Sequence, residues 1–311
     1  MKRNYGATYT APQTIWLTLF FAAPIAIIVA YSFMQKGLYG GVEPRFSLEA
    51  YSALANPTLL TVAFRTLWVS VAATIITILV ALPCGYSIAR SRNQTVKLFL
   101  VIVPFWTNFL VRIYAWIAIL GNTGFLNDLL AIAGLRAEPI QFLYNQGAVT
   151  LVLVYMYLPY AILPLYSTID KFDFTLLEAA RDLGATRMQS YMRVMLPNIR
   201  GGIVTAVLFT FIPIFGAYAV PLLVGGKDSY MLGNVIADQV TKTRNWPLAS
   251  SISMSVTFMT AVAAMLYALR SKSQAAKNRY HEPDADPGSA GTGTVNTGTG
   301  DKGAVGTEVS R

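Results

Sequence analysis

Six long apolar runs dominate the sequence and decide what it can fold into. They cover residues 15–33, 66–88, 98–120, 148–166, 202–223 and 248–269. About 20 apolar residues in a helix cross the hydrocarbon core of a bilayer, where every backbone polar group must be paired internally. Charged residues make up only 13% of the chain, against about 25% in a soluble domain. The sequence therefore predicts an all-α membrane protein with six transmembrane helices.

The basic residues orient these spans. Lys and Arg are concentrated before span 1, between spans 2 and 3, between spans 4 and 5, and after span 6, and the alternate loops carry fewer. Cytoplasmic loops are enriched in basic residues, so we expect a multi-pass protein of the bacterial inner membrane with both termini in the cytoplasm. The first run is long for a signal peptide and no A-x-A cleavage site follows it closely, so we expect it to be retained.

A charged stretch between spans 4 and 5 has the spacing of two short helices. Thr175 and Glu178 have the spacing of a capping box, and Thr186 and Gln189 repeat it after Gly184. In a capping box, the first side chain accepts from the backbone three residues on, and the Glu or Gln reaches back. Gly184 can adopt the left-handed conformation that ends a helix. One face of the second predicted helix carries Met188, Tyr191, Met192 and Met195.

Two capped helices around a glycine turn are open to more than one interpretation. A DNA-binding helix-turn-helix has this outline, but it needs its own packed domain, and here membrane spans close in on both sides. We therefore expect no nucleic-acid partner. A cytoplasmic loop that merely packs on the helical bundle is the other alternative, because capped helices are common in loops.

The same stretch resembles the EAA motif of ABC importer permeases. That motif is E-A-A, three residues, Gly, nine residues, an aliphatic residue, any residue, then Leu-Pro, with Val here in place of the more usual Ile. The matching residues are Glu178, Ala179, Ala180, Gly184, Val194, Leu196 and Pro197. The resemblance implies a type I ABC importer permease fold in which residues 169–201, the coupling loop, carry a cytoplasmic coupling helix that docks onto a separate ATPase.

The resemblance extends over roughly residues 10–270 and is closest to the spermidine/putrescine type. "RTLWVSVAATIITILVALPCGYSIARS" and "VPFWTNFLVRIYAWIAILGNTGFLN" look like spans 2 and 3 of the first of the two permease subunits in that family. This implies three segments: an N-terminal segment 1–61 with span 1 and the first periplasmic loop, a permease core 62–269, and a cytoplasmic tail 270–311. The tail is rich in Gly and Thr, which is typical of disorder.

The family also implies partners and a division of labour. The sequence contains no G-x-x-x-x-G-K-[ST] phosphate loop, so the chain is expected to be a transport subunit without ATPase activity, and ATP would be bound by a cytoplasmic ABC ATPase dimer. A second permease subunit, forming a heterodimer, a periplasmic substrate-binding protein and membrane lipid are the other expected partners. No cofactor and no metal are expected, since the only histidine and cysteine, His281 and Cys84, lie far apart in sequence.

A polyamine-like solute suggests a pathway lined by aromatic faces, because the spans contain almost no acids. Cation–π contacts are worth about 0.5–2 kcal/mol each. Arg112 is an intramembrane charge and hence a functional candidate; it weighs against a cation on its face of span 3, which leaves amino acids, opines or other small organic solutes open. The candidate pathway residues are Trp106, Asn108, Arg112, Tyr114, Trp116, Tyr160 and Phe215. Ordinary packing is the alternative for each aromatic.

Other features of the outer face and of the spans leave alternatives open. Asp228 and Asp238 are candidates for an outer gate, or are solvated loop acids. The segment 121–147 predicts a short surface helix that ends at Gly134. Prolines within the spans indicate either ordinary kinked packing or a bundle that bends around a pathway. A stand-alone secondary transporter or channel is the alternative of a different class, but it would need ion-coupling acids or an inverted repeat.

Overall fold

The computed structural model describes residues 5–134 and 138–279, and most of the described backbone is helical. Contacts within the chain divide it into one unit that ends at Thr260 and a second that begins at Ala261. In the second unit the description is limited to a helical backbone that reaches Arg279 and a few side chains. The rest of the predicted tail lies outside the described residues.

The first apolar run forms a helix, and its most hydrophobic stretch is not buried inside the chain. It is built from α1 (Tyr5–Leu17), a π-helical turn (Thr18–Ala22) and α2 (Ala23–Ser32). Within Thr10–Ser32, none of the 18-residue window with the highest hydropathy is buried inside the chain. This part of the first span therefore makes almost no contribution to the core.

A small β-hairpin follows the first span. It consists of β1 (Met34–Lys36) paired antiparallel with β2 (Val42–Phe46), with an irregularity between Met34 and Gln35. A short helix, α3 (Glu49–Ser52), and a 3₁₀ turn (Ala53–Ala55) lead to the second span.

The second and fourth spans are long helices that begin at side-chain caps. The Asn56 side chain accepts a hydrogen bond from the backbone of Thr58, and Pro57 occupies the first helical position, where it is favoured. The Asn145 side chain caps the fourth span in the same manner, through the backbone of Ala148. These spans are α4 (Pro57–Ala89) and α8 (Gln146–Ile169).

The remaining elements are shorter, apart from the last helix. The third apolar run and the outer helix comprise α5 (Gln94–Ile102), a 3₁₀ turn (Val103–Trp106), α6 (Phe109–Leu120) and α7 (Phe125–Ile132). The coupling loop contains α9 (Thr175–Asp182), α10 (Arg187–Ser190), a π-helical turn (Tyr191–Met195) and α11 (Leu196–Asn198). The chain ends with α12 (Arg200–Phe215), α13 (Ala219–Val224), a 3₁₀ turn (Lys227–Ser229), α14 (Leu232–Thr241) and α15 (Trp246–Arg279).

The core lies where the helices α4, α8 and α12 pack against one another. One apolar cluster surrounds Val152, Leu153 and Met156 in the first half of α8. A second cluster surrounds Ile162, Leu165 and Ile169 in its last turns and includes Leu177, Met195 and Ile199 of the coupling loop. The coupling loop is therefore part of the packed core at one end of the bundle.

The prediction of six transmembrane helices is not confirmed. Within the part of the chain that the structure describes, four helical stretches are long and apolar enough to cross a membrane: Thr10–Ser32, Pro57–Ala89, Phe109–Ile132 and Gln146–Ile169. A fifth is added if Arg187–Asn198 and Arg200–Phe215, which meet at a 73° bend, are counted as one span.

Two of the predicted spans are broken helices. The run 98–120 is interrupted at Thr107 and Asn108, which are extended, because the Asn108 side chain accepts from the backbone of Leu110 and starts α6. The run 202–223 is interrupted after Phe215, where Gly216 ends α12. The short helix predicted in the segment 121–147 is present as α7, with Gly134 in the left-handed conformation, and its place on the membrane surface stays a prediction.

Candidate functional site

The start of α9 is held by Asp173, two residues before the residue predicted to cap it. The Asp173 carboxylate accepts hydrogen bonds from both the backbone N–H and the hydroxyl of Thr175, at 3.0 and 2.7 Å. These bonds lower the pKa of Asp173, the bond from the Thr175 hydroxyl contributing most. The predicted Thr175–Glu178 capping box is therefore wrong, because Thr175 is the first residue inside α9 and its hydroxyl bonds to Asp173 rather than to the Glu178 backbone. An Asp just before a helical pattern is itself a start signal.

Gly184 forms the turn between the two short helices. Its φ of +88° lies in the left-handed region, and the space that a Cβ would occupy is empty. The backbone N–H of Gly184 donates to the Arg181 carbonyl, and that of Ala185 donates to the Ala180 carbonyl. These bonds satisfy the free carbonyls at the end of α9. The predicted glycine turn is present.

The second capping box is present, but the helix that it opens is not regular. The Thr186 hydroxyl accepts from the Gln189 backbone, and the Gln189 side chain accepts from the Thr186 backbone. The π-helical turn Tyr191–Met195 then follows. The extra residue of a π turn rotates the side chains that follow it.

The predicted apolar face of this helix is consequently divided between two environments. Met195 is fully buried and Tyr191 is half-buried, whereas Met188 and Met192 are 69% and 55% exposed. Leu183, beside the glycine turn, is 90% exposed. One side of the coupling loop is therefore anchored in the core and the other presents large apolar side chains outward.

The EAA-motif residues divide in the same way. Glu178, Ala179, Gly184 and Pro197 are exposed, and Ala180 is half-buried. Val194 and Leu196 are also half-buried and pack against the second core cluster. Four of the seven motif residues thus face outward, and two of the other three connect the motif to the bundle.

Aromatic residues join the coupling loop to the end of α4. The Tyr86 ring lies 6.1 Å from that of Phe174 and 5.9 Å from that of Tyr191, both edge-on. The Arg90 guanidinium lies over Phe174 at 5.0 Å, a cation–π contact. Burial, and then the neighbouring Tyr86, raise the pKa of the Tyr191 hydroxyl. The coupling loop and the end of α4 are therefore in direct side-chain contact.

A cavity of about 520 Å³ opens beside this aromatic contact. It is lined by Tyr86, Leu177, Arg181, Arg187, Met188 and Tyr191. In the sequence, Arg181 and Arg187 indicated only the orientation of the spans, and this opening was not predicted. No local pattern could have found it, because its walls come from α4, α9 and the helix after Gly184.

Arg112 lies beside the break in the third apolar run, stacked on phenylalanine rings. Its guanidinium carbon is 4.8 Å from the ring centre of Phe105 and 5.9 Å from that of Phe109. The buried Nε and Nη1 atoms of Arg112 have no hydrogen-bond partner among the described residues. The two ion pairs in the described chain are Arg45–Glu43 and Lys242–Asp238, so no carboxylate there neutralises Arg112.

Two of the aromatic pathway candidates lie near Arg112, each through a partner ring: Trp116 through Tyr155, and Tyr160 through Tyr157, which interacts with the Arg112 charge. Trp116 packs edge-on against Tyr155 at 5.3 Å, and Tyr155 packs on Phe105 at 5.6 Å, so Trp116 belongs to the surroundings of Arg112. Tyr160 packs on Tyr157 at 5.8 Å. Phe105 and Tyr155 connect Arg112 to Trp116, and no sequence pattern marked them for that role.

The other candidates lie in different surroundings. Trp106 and Tyr114 are 77% and 57% exposed, and Asn108 serves as the cap of α6. Phe215 is buried against Phe211, at 5.6 Å, on the wall of an apolar groove between α4 and α15. The structure therefore does not gather the seven candidates into one site, and their role in a pathway stays a prediction.

The two candidate gate acids have different partners. Asp238 accepts from the Tyr230 hydroxyl at 3.2 Å and forms an ion pair with Lys242 at 2.8 Å, which raises the pKa of Lys242. Asp228 is exposed, and its backbone carbonyl accepts from the Gln146 side chain. No contact joins the two acids in the described part of the chain.

Comparison with known proteins identifies the family. The model of the family described as "binding-protein-dependent transport system inner membrane component" matches residues 78–274. The chain belongs to this family, and it is therefore a permease component of the inner membrane, in agreement with the EAA-motif resemblance.

Similar proteins include three curated permeases. The chain is 38% identical over 254 residues to the spermidine/putrescine transport system permease protein PotB of Haemophilus influenzae, covering 81% of this chain and 89% of that protein. It is 35% identical to PotB of Escherichia coli K12, covering 81% and 92%. It is 32% identical to the inner membrane ABC transporter permease protein YdcU of Escherichia coli K12, covering 68% and 72%.

Solved structures show the same fold. A bacterial ABC transporter involved in the import of the acidic polysaccharide alginate aligns with a TM-score of 0.66 at 16% identity, covering 86% of this chain and 93% of that chain. The alginate transporter in complex with its alginate pentasaccharide-bound periplasmic protein aligns with a TM-score of 0.67 at 14% identity, covering 83% and 91%. At these identities the likeness concerns the fold alone.

Proposed function

We propose that this chain is the first permease subunit of an ATP-driven importer for a polyamine-like solute of the spermidine/putrescine type. The observation that carries the proposal is the coupling loop, which is anchored in the core by Met195 and Ile199 and presents Leu183, Met188 and Met192 outward. A rigid element with an exposed apolar side suits transmission of force from a separate ATPase. The 35–38% identity to PotB proteins supports the substrate class.

The ATPase dimer would bind ATP and close on the coupling loop, switching the permease between outward- and inward-open states. The ring contact between Tyr191 of the coupling loop and Tyr86 of α4 would transmit this movement to the bundle. In this proposal the chain binds no cofactor or metal itself. A secreted binding protein would deliver the solute to the outer face.

A second permease subunit would cover the first span. The apolar window of Thr10–Ser32 buries no residue within the chain, and α6 also exposes Val111 and Tyr114. Helices in lipid associate through close packing, so a heterodimer partner and membrane lipid would share these surfaces. With the run 248–269 in α15 as a further span, the subunit would have six spans and both termini in the cytoplasm.

The proposal is tested by reconstituting the two permeases with the ATPase and the binding protein in vesicles. Uptake of radiolabelled spermidine or putrescine should depend on ATP and on both partners. Uptake without the ATPase would instead indicate a secondary transporter or channel. Competition by amino acids or opines, with no uptake of polyamines, would indicate the alternative substrates.

The coupling assignment is tested on the same complex with Glu178→Lys. We expect a loss of ATPase co-purification of tenfold or more. Asp182→Lys is the matched control, because Asp182 is an exposed acid on the same helix at a position where the motif specifies no residue. Equal losses in the two variants would mean that total charge, rather than the motif, governs docking.

A further inference from the structure

The β-hairpin after the first span is a braced structure. Phe33, just before β1, stacks face to face on Phe46 at the end of β2, with ring centres 6.1 Å apart. The ring of Tyr51 also packs on Phe33, at 5.2 Å. The Tyr51 hydroxyl donates to Ser32 at 2.9 Å, where the first span ends. The hairpin is therefore fixed to the span from which it emerges.

The hairpin tip, residues 37–41, presents two large side chains to the surroundings. Leu38 is 89% exposed and Tyr39 is 91% exposed. Isolated exposed apolar residues are common, but Tyr39 stands at the end of a braced hairpin, and tyrosine is enriched among the residues that dominate binding energy at interfaces.

A second outer segment holds the tip in place. The backbone N–H of Gly41 donates to the carbonyl of Arg244 at 2.8 Å, in the segment between α14 and α15. Gly40 has a φ of +89°, and a Cβ there would lie 2.6 Å from the Cβ of Arg244. Arg244 itself has a φ of +51°, which is uncommon for a residue other than glycine. The tip is thus pre-organised, so little conformational freedom is lost when it binds a partner.

The charges around the tip are positive. Lys36 and Arg244 are exposed and have no ion pair among the described residues. Glu43, the acid on the hairpin, is already paired with Arg45 at 3.1 Å. The surface that complements the tip is therefore an apolar pocket with an acidic rim.

We propose that the hairpin tip docks the substrate-binding protein, with Leu38 and Tyr39 entering an apolar pocket that carries acidic groups for Lys36 and Arg244. This inference rests on the proposed function and on its orientation, which places the hairpin outside the membrane on the outer face. A lipid surface is the competing occupant, because tyrosine favours membrane interfaces. The polar and charged strand residues Gln35, Lys36 and Glu43 separate the tip from the end of the span and favour the protein partner.

The first experiment uses the assembled importer in vesicles with Leu38→Ser combined with Tyr39→Ser. The concentration of binding protein that gives half-maximal ATPase stimulation should rise at least tenfold, while the ATPase still co-purifies. Leu48→Ser is the matched control, because Leu48 is 55% exposed in the same outer segment but lies beyond the hairpin. An unchanged stimulation curve for the double variant overturns the docking proposal. If the ATPase does not co-purify with the wild-type chain, the proposed function itself is wrong.

The second experiment separates protein from lipid as the occupant. Cys84 is the only cysteine, so a Cys84→Ala background allows an environment-sensitive fluorophore to be attached at Tyr39→Cys. A blue shift on addition of the binding protein, without quenching by brominated lipids, is the expected result. Quenching by brominated lipids with no response to the binding protein means that the tip is a membrane anchor and contradicts the proposal.

Discussion

The guanidinium of Arg112 lies 4.8 Å above the ring of Phe105, and its buried Nε and Nη1 atoms have no hydrogen-bond partner in the described chain. A guanidinium tolerates this environment because it is planar and weakly hydrated, and an ammonium does not. The ring face is therefore the main compensation for burying this charge.

Arg112→Lys should consequently destabilise the assembled complex more than Arg112→Met does. Lysine keeps the charge but loses the stacking, and an uncompensated buried charge is costly, whereas methionine removes the charge. We expect Arg112→Lys to lower the thermal midpoint of the purified complex by several degrees, because the lost cation–π contact is worth about 0.5–2 kcal/mol. Arg193→Lys, at an exposed position of the coupling loop, should leave the midpoint unchanged. A larger effect of methionine would show that charge, rather than stacking, is required.

Asp173→Ala should loosen the first turn of α9. Hydrogen exchange at the α9 amides is expected to rise about threefold to tenfold, because the helix start loses the side chain that accepts from Thr175. Asp182→Ala, at the other end of α9, is the control and should leave the first turn protected. If Thr175→Val has a greater effect than Asp173→Ala, the carboxylate is not the main cap.

The Asp173 cap should also depend on pH. Hydrogen bonds from Thr175 lower the pKa of the Asp173 carboxyl in the folded chain. The carboxylate therefore stabilises the fold at pH values above its pKa in the unfolded chain, which is about 3.9. This stabilisation is lost as the pH falls through the lowered folded value. After correction for intrinsic exchange rates, protection of α9 should therefore fall below about pH 4 in the wild type. It should vary much less with pH in Asp173→Ala, and equal slopes would contradict the assignment.

Gly184→Ala should impair coupling without disturbing packing. A Cβ at Gly184 meets no atom, so the cost is the left-handed backbone conformation, about 1–2 kcal/mol. We expect transport per ATP hydrolysed to fall several-fold. Gly201→Ala is the control, since a Cβ there also meets no atom but Gly201 lies in α12. A normal transport ratio in Gly184→Ala would mean that the turn angle is unimportant.

Two methionines of the coupling loop should separate stability from docking. Met195→Ala should cost about 2–5 kcal/mol of stability, because Met195 is fully buried. Met188→Ala should leave the thermal midpoint unchanged and weaken ATPase co-purification, because Met188 is 69% exposed. The opposite pattern would reverse the assignment of the two faces.

Several structural features that depend on residues close in sequence were predicted correctly. The capping box of Thr186 and Gln189 and the turns at Gly184 and Gly134 depend on residues that are neighbours along the chain. Their geometry follows from hydrogen bonding and backbone sterics over a few residues, so the sequence contains enough information to place them.

Features that depend on the competition between local and distant contacts were missed. Apolar composition does not reveal that Asn108 caps a new helix inside the run 98–120. The π-helical turn Tyr191–Met195 places Met195 and Met192 in different environments, which a regular helical period cannot predict. The contact of Arg112 with Phe105 depends on the same break in the third run. The conformation of the hairpin tip depends on a hydrogen bond to Arg244, about 200 residues away in sequence.

The first span has a consequence for synthesis of the protein. Because none of the apolar window of Thr10–Ser32 is buried in its own chain, a newly inserted copy leaves most of one helix uncovered by its own subunit. Under the proposed heterodimer, that exposed helix distinguishes an orphan subunit from an assembled one. Membrane quality control would then have a physical basis for removing surplus copies and keeping the two permeases in equal amounts.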